Sequence, residues 1–127
     1  MEPHILFAED DDDTREIVQL ALKVAGFRVS ATGNPAEALS LAANERFDAL
    51  LLDNWMPELD GIELCRKIRS FDPTTPILFC SGAVTQSDIE AATQAGAQGY
   101  VGKPFDPDDL VKALRTAIKV PNVSAAS

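Results

Sequence analysis

The chain has 127 residues with 20 acidic and 11 basic side chains, a net charge of −9, and 46% hydrophobic residues. A chain of this size fits one domain; no run approaches the ~20 apolar residues of a transmembrane helix, and Met1-Glu2-Pro3-His4 lacks the basic start and apolar core of a signal peptide, so a cytoplasmic protein is the default. The acidic balance argues against nucleic-acid binding by this domain, though not by one attached to it, and Cys65 and Cys80, isolated in apolar patterns, read as buried reduced thiols.

Apolar stretches alternate with helical patterns and turn signals, the signature of a parallel α/β sheet. The first strand is Ile5-Leu6-Phe7-Ala8, ending in Glu9-Asp10. Asp11, Asp12 and Asp13 read as cap and first-turn charges favoured by a helix dipole. They open a helix whose spacing puts Ile17, Leu20, Ala21 and Val24 on one face, with Gly26 as its stop. Phe27 to Thr32 is a second, less apolar strand, as at a sheet edge. Asn34-Pro35 has the form of an N-cap followed by proline in the first helical position, opening a helix through Leu39, Ala42 and Ala43.

Ala49-Leu50-Leu51-Leu52-Asp53 reads as a strand buried on both faces, closed by a carboxylate. Met56-Pro57 and Asp60-Gly61 supply the following turn. The next helix carries Ile62, Cys65 and Ile68 inward and Arg66, Lys67 and Arg69 mostly outward. Asp72-Pro73 and Thr75-Pro76 precede a fourth strand, Ile77-Leu78-Phe79-Cys80, ending in Ser81-Gly82. A polar, alanine-rich helix follows from about Ser87 to Ala95. Ile89 is its one large apolar anchor, so it is expected to be the most weakly held. The last strand, Gly99-Tyr100-Val101, runs into Gly102-Lys103-Pro104-Phe105. Asp106-Pro107 then repeats the cap-plus-proline start of a helix bearing Leu110, Ala113, Leu114, Ala117 and Ile118. Residues 1–120 form the expected domain, and 121–127 a tail or the start of a linker.

Parallel strands end on one side of their sheet, where open α/β folds place their ligand crevice. Glu9-Asp10, Asp53, Ser81 and Lys103 all follow strand ends, so they are expected to meet there. Two carboxylates ~4 Å apart repel by about 4 kcal/mol at the effective dielectric near a protein surface. Something positive must sit among them, and Mg²⁺, usually held by one or two carboxylates plus waters and a phosphate, suits the donor set. With Lys103 as a second cation and Ser81 as a hydroxyl donor, such a pocket can stabilise a transferring phosphoryl group, Asp53 being the nucleophile. His4 is the one histidine, so no Cys-His pair near these residues or Ser-His-Asp set competes, and no phosphate-binding glycine loop is present.

Glu9-Asp10, Asp53 with Met56-Pro57 and Asp60-Gly61, Ser81-Gly82 and Lys103-Pro104-Phe105 together resemble the motif set of the response-regulator receiver domain of two-component signalling. The resemblance runs from Ile5 to about Ile118. It implies a doubly wound, flavodoxin-like sheet of order 2-1-3-4-5 with helices on both faces, as in the chemotaxis regulators. It also implies that Asp53 accepts a phosphoryl group from a histidine kinase or histidine phosphotransfer protein. Asp10, Asp53 and the Trp55 backbone carbonyl would bind Mg²⁺, with Glu9 helping through water. Ser81 and Tyr100 would be the switch pair, Lys103 would pair with the phosphoryl group, and Lys103-Pro104 would be cis, which proline permits cheaply. The fourth helix, fifth strand and fifth helix would form the output face for an effector protein or domain, with phosphorylation-dependent dimerisation as one outcome.

Two positions depart from the usual family pattern: Glu9 stands where Asp is usual and Ser81 where Thr is commoner. Neither removes a required group. Trp55, a large aromatic just after Asp53, is expected to shield the acyl phosphate from water. A phosphatase acting on a separate substrate through an Asp nucleophile normally needs a general-acid carboxylate at the position Trp55 occupies, and a cap domain. The expectation is therefore a switch and not an enzyme with its own substrate; a phosphorylation-independent interaction module on the same fold is disfavoured by the intact Asp53 and Lys103.

Overall fold

A computed structural model describes residues 2–53, 60–82, 85–102 and 106–119, with Ser81 and Lys119 described in their backbone alone. The strands are β1 (His4–Ala8), β2 (Arg28–Thr32), β3 (Ala49–Asp53), β4 (Ile77–Ser81) and β5 (Gly99–Gly102). The helices are α1 (Asp12–Val24), α2 (Pro35–Asn44), α3 (Gly61–Arg69), α4 (Gln86–Ala95) and α5 (Pro107–Lys119). The sheet order is β2-β1-β3-β4-β5 and every pairing is parallel, as the resemblance implied.

Side chains alternate across a strand, so each central strand feeds two cores. Leu6, Ala8, Leu50, Leu52, Ile77 and Phe79 face α2, α3 and α4, where Ala38, Leu64, Cys65, Ile68 and Ala92 complete one apolar layer. Ile5, Phe7, Ala49, Leu51 and Leu78 face α1 and α5, packing on Val18, Leu22, Leu110 and Leu114. All five residues of β3 are buried, which is why its first four form an unbroken apolar run before the closing Asp53. β2, at the edge, is mostly half-exposed.

The local start signals are realised in hydrogen bonds. Asp11 caps α1 through Oδ2 and the Thr14 amide at 2.9 Å, with Asp12 and Asp13 in the first turn. Asn34 caps α2 and Pro35 opens it. Asp60 belongs to a cap more than to the expected turn: its Oδ1 accepts from the Glu63 amide at 2.8 Å, and Gly61 is the first residue of α3. The start expected at Asp106 is also present, its Oδ1 accepting from the Asp108 amide at 2.8 Å.

Helix α1 corrects the expected inward face. Ile17, Leu20 and Val24 are 65%, 65% and 81% exposed, whereas Val18 and Leu22 are buried. Two apolar rows lie side by side on this helix, and both satisfy helical spacing. The ends set which one turns inward: Asp11 fixes the first turn, and Phe27, buried just past the positive-φ Gly26, fixes the exit. Arg69 of α3, expected mostly outward, is half-buried against the end of α4. No helix among the described residues is long and apolar enough to cross a membrane.

Candidate functional site

The parallel register sets the acidic residues on one rim. Ala8 pairs with Leu52, so Glu9 leaves β1 beside the end of β3, where Asp53 pairs with Cys80. Ser81 pairs with Gly102 one step further along the same rim. Carboxylate oxygens of Glu9, Asp10 and Asp53 all lie within 4.8 Å of one another. Glu9 and Asp53 are buried, at 1% and 3% exposure, while Asp10 faces solvent.

Backbone contacts hold this cluster. The Glu9 amide donates to the Thr32 carbonyl at 3.0 Å, extending the β1–β2 ladder past the strand end. The Asp11 amide donates to Glu9 Oε2 at 3.2 Å, drawing that carboxylate back over the first turn of α1. The longer Glu9 side chain thus still brings its carboxylate to the pocket. Hard oxygen donors from three acids, two of them shielded from water, match a divalent cation such as Mg²⁺ and leave a solvent-facing side through Asp10.

Tyr100 is half-buried on β5 and pairs with Phe79 in register; the two rings stack with centroids 6.0 Å apart at an interplanar angle of 26°. Its ring packs on the apolar layer beneath α3 and α4. Lys103, Trp55, Pro104 and the Ser81 side chain lie outside the described residues, so their expected convergence on Asp53 and the cis Lys103-Pro104 bond have no geometry here. Cys65 is a buried thiol whose Sγ donates to the Ala95 carbonyl at 3.3 Å; burial pushes its pKa up, against the lowering charges of Arg69 and Arg66. Cys80 is likewise buried.

The doubly wound sheet of this order is the fold that the solved structures below share with this chain. The family model of the response regulator receiver domain matches residues 5–115. The transcriptional regulatory protein CseB of Streptomyces coelicolor is 41% identical over 116 residues, 91% of this chain and 49% of that protein. The response regulator MprA of a Mycobacterium species is 38% identical over 119 residues, 94% of this chain and 52% of that protein. The chain thus spans about half the length of the curated relatives it matches.

Among solved structures, the chemotaxis response regulator CheY4 of Vibrio cholerae superposes with a TM-score of 0.87 at 29% identity, covering 92% of this chain and 99% of that one. The receiver domain of the sensor histidine kinase PA1611 from Pseudomonas aeruginosa, solved with a magnesium ion coordinated in its active-site cleft, gives a TM-score of 0.86 at 31% identity, covering 93% and 98% of the two chains. The chain belongs to the response regulator receiver domain family, a signalling domain of two-component systems.

Proposed function

We propose that this receiver domain is a phosphorylation-controlled switch in which Asp53 is the phosphoacceptor. The observation that carries the reading is the meeting of Glu9, Asp10 and Asp53 within 4.8 Å at the carboxyl rim of the sheet. An oxygen of the Asp53 carboxylate attacks the phosphorus of a phosphohistidine, the P–N bond breaks, and the imidazole leaves with its electron pair and takes a proton from water. The product is an acyl phosphate, and nothing is oxidised or reduced. Asp10 and Asp53, with the Trp55 backbone carbonyl, would hold Mg²⁺, and Glu9 would assist through water. When bound, that ion neutralises charge on the phosphoryl oxygens. Lys103 pairs with the phosphoryl group.

Ser81 and Tyr100 then carry the change outward: the hydroxyl of Ser81 moves to the new phosphoryl oxygen and the Tyr100 ring turns inward behind it. The stacking of Tyr100 on Phe79, at the layer beneath α4, supports this assignment. The surface altered is that of α4, β5 and α5, and its reader is an effector protein or domain. The donor is a sensor histidine kinase or histidine phosphotransfer protein. Residues 1–120 form the receiver, and 121–127 a tail or linker. The name of one relative, a transcriptional regulatory protein, favours transcriptional control as the output, exerted by a partner or attached domain and not by nucleic-acid binding of this acidic domain. The setting is cytoplasmic, and dimerisation on phosphorylation is one form the output can take.

Incubation with Mg²⁺ and a small phosphoryl donor, followed by intact mass, tests the reading. A lasting single-phosphoryl adduct that Asp53→Asn abolishes supports it. Turnover of the donor without an adduct, or no reaction in the presence of Mg²⁺, overturns it.

A further inference from the structure

The peptide that joins the two leading acids is gripped from behind by Arg15, a residue outside the motif set. Arg15, one turn into α1, donates from Nη1 to the Glu9 carbonyl oxygen at 2.8 Å and from Nη2 to Asp12 Oδ1 at 2.5 Å. Its side chain is half-buried, at 23% exposure. The fork therefore bridges the end of β1 and the first turn of α1, the two ends of the loop that carries Glu9, Asp10 and Asp11.

Gly33 makes room for this bridge. A Cβ placed there would stand 2.6 Å from Arg15 Nη1 and 3.3 Å from the Glu9 carbonyl oxygen, so any side chain displaces the guanidinium. Glu9 is thus held at both backbone polar groups, its N–H by Thr32 and its C=O by Arg15. A peptide unit is planar, so fixing the Glu9 carbonyl fixes the plane that also contains the Asp10 nitrogen and Cα. That sets the base from which the Asp10 side chain leaves.

We infer that Arg15 is a positioning residue for the acidic pocket: its fork across Glu9 and Asp12, seated over Gly33, orients the Glu9-Asp10 peptide so that both carboxylates meet Asp53. The inference rests on the reading of that pocket as a Mg²⁺ site. Outer partners of metal-ligating groups commonly change affinity by about 10–100-fold when removed. Placement and charge predict opposite signs. Deleting a nearby cation would by electrostatics alone tighten Mg²⁺ binding, whereas loss of placement weakens it.

Mg²⁺ titration of the full chain, followed by the emission of its single tryptophan, Trp55, and by calorimetry, measures the affinity without any phosphoryl transfer. Arg15→Ala is expected to weaken binding on the order of tenfold, and Arg15→Lys, which keeps one donor but not the fork, to fall between it and the unaltered chain. Gly33→Ala leaves the net charge unchanged and is expected to weaken binding in the same direction as Arg15→Ala, which keeps the question open to test should Arg15→Ala not fold. Asp12→Ala, which removes one arm of the fork but keeps the Glu9 contact, is expected to weaken binding less than Arg15→Ala. Arg15→Ala and Gly33→Ala variants that bind Mg²⁺ as tightly as the unaltered chain, or tighter, overturn the inference and leave the site reading standing. An unaltered chain that binds no Mg²⁺ overturns both.

Discussion

Arg69 at the end of α3 holds the carbonyl oxygen of Gly96, the residue that closes α4, with two donors at once: Nε at 3.0 Å and Nη2 at 2.9 Å. Nη2 also reaches Gln98 Oε1 at 3.0 Å, and that same oxygen accepts from the Ile77 amide at 2.7 Å. Gly96 has φ of +111°, and a Cβ there would meet Arg69 Cγ at 2.8 Å. The carboxyl end of α4 is therefore clasped to α3 and to the start of β4. Its amino end is held by a local capping box between Thr85 and Asp88, and Ala92 and Ala95 are its buried residues.

The clasp predicts a coupled pair of stability losses. Hydrogen bonds from a charged donor are each worth about 1.5–3 kcal/mol, so Arg69→Ala is expected to cost about 2–3 kcal/mol given the partial exposure of the side chain. Gly96→Ala carries both a left-handed backbone penalty and a clash, together about 2–3 kcal/mol. In the Arg69→Ala background the clash is gone, and the alanine should cost only its backbone share, about 1 kcal/mol. Urea unfolding of the two single variants and the double variant measures the cycle; strict additivity would show that the two residues do not share the interaction.

The acidic cluster predicts that removing the Asp53 charge raises the stability of the metal-free protein. Three carboxylates within 4.8 Å repel when no cation is bound. Asp53→Asn removes one charge and is expected to stabilise the metal-free protein by about 1–2 kcal/mol. Mg²⁺ at a hundred times its Kd should stabilise the unaltered chain by about 2.7 kcal/mol and the Asp53→Asn variant by far less. Thermal unfolding with and without Mg²⁺ checks both halves, and equal Mg²⁺ shifts in the two proteins would remove Asp53 from the binding set.

What the sequence made legible was what depends on near neighbours or on a topological rule. Asn34-Pro35 and Asp106-Pro107 announce their helices because cap and first turn lie within four residues of each other. The meeting of Glu9, Asp10 and Asp53 is legible because parallel strands must end on one side. The strand order came from resemblance, since alternation alone leaves it open. The inward row of α1 was not legible: rows 17/20/24 and 18/22 fit helical spacing equally, and the choice depends on how both ends of the helix are fixed. The inward setting of Arg69 and the contact made by Arg15 were not legible for a related reason. Arg69 meets its partner 27 residues away, and Arg15 meets a backbone carbonyl, which has no signature in side-chain chemistry.

The two rows of α1 give a direct contrast. Leu22 is fully buried among Ile5, Phe7 and Phe27, so Leu22→Ala should cost about 2–5 kcal/mol through lost burial and the cavity left behind. Leu20, 65% exposed, should tolerate alanine within about 0.5 kcal/mol. Chemical denaturation with an unchanged m-value is the measure. Comparable losses at the two positions would mean that the helix sits in the other rotational setting.

Stability in acid should depend on Asp72, in the turn after α3. Burial alone would raise its pKa, but this is outweighed by hydrogen bonds from the Thr75 side chain and amide and from the Thr74 amide, together with the Arg69 charge, so its carboxyl titrates below the ordinary range. The two amides reach Asp72 Oδ1 at 3.1 and 3.2 Å, and Arg69 Nη1 donates to the Asp72 carbonyl at 2.9 Å. A carboxylate whose pKa is lower folded than unfolded contributes stability that is fully present above the unfolded value of about 3.9. That contribution is lost as pH falls through the lower folded value. Asp72→Asn removes the titration while keeping an oxygen that can accept from Thr74 and Thr75. The variant is expected to be less stable than the unaltered chain at neutral pH, and the difference to shrink as pH falls below about 4. Urea midpoints collected from neutral pH down to strongly acidic buffer provide the curve. A stability difference that stays constant across that window would show that the turn does not depend on the charge of Asp72.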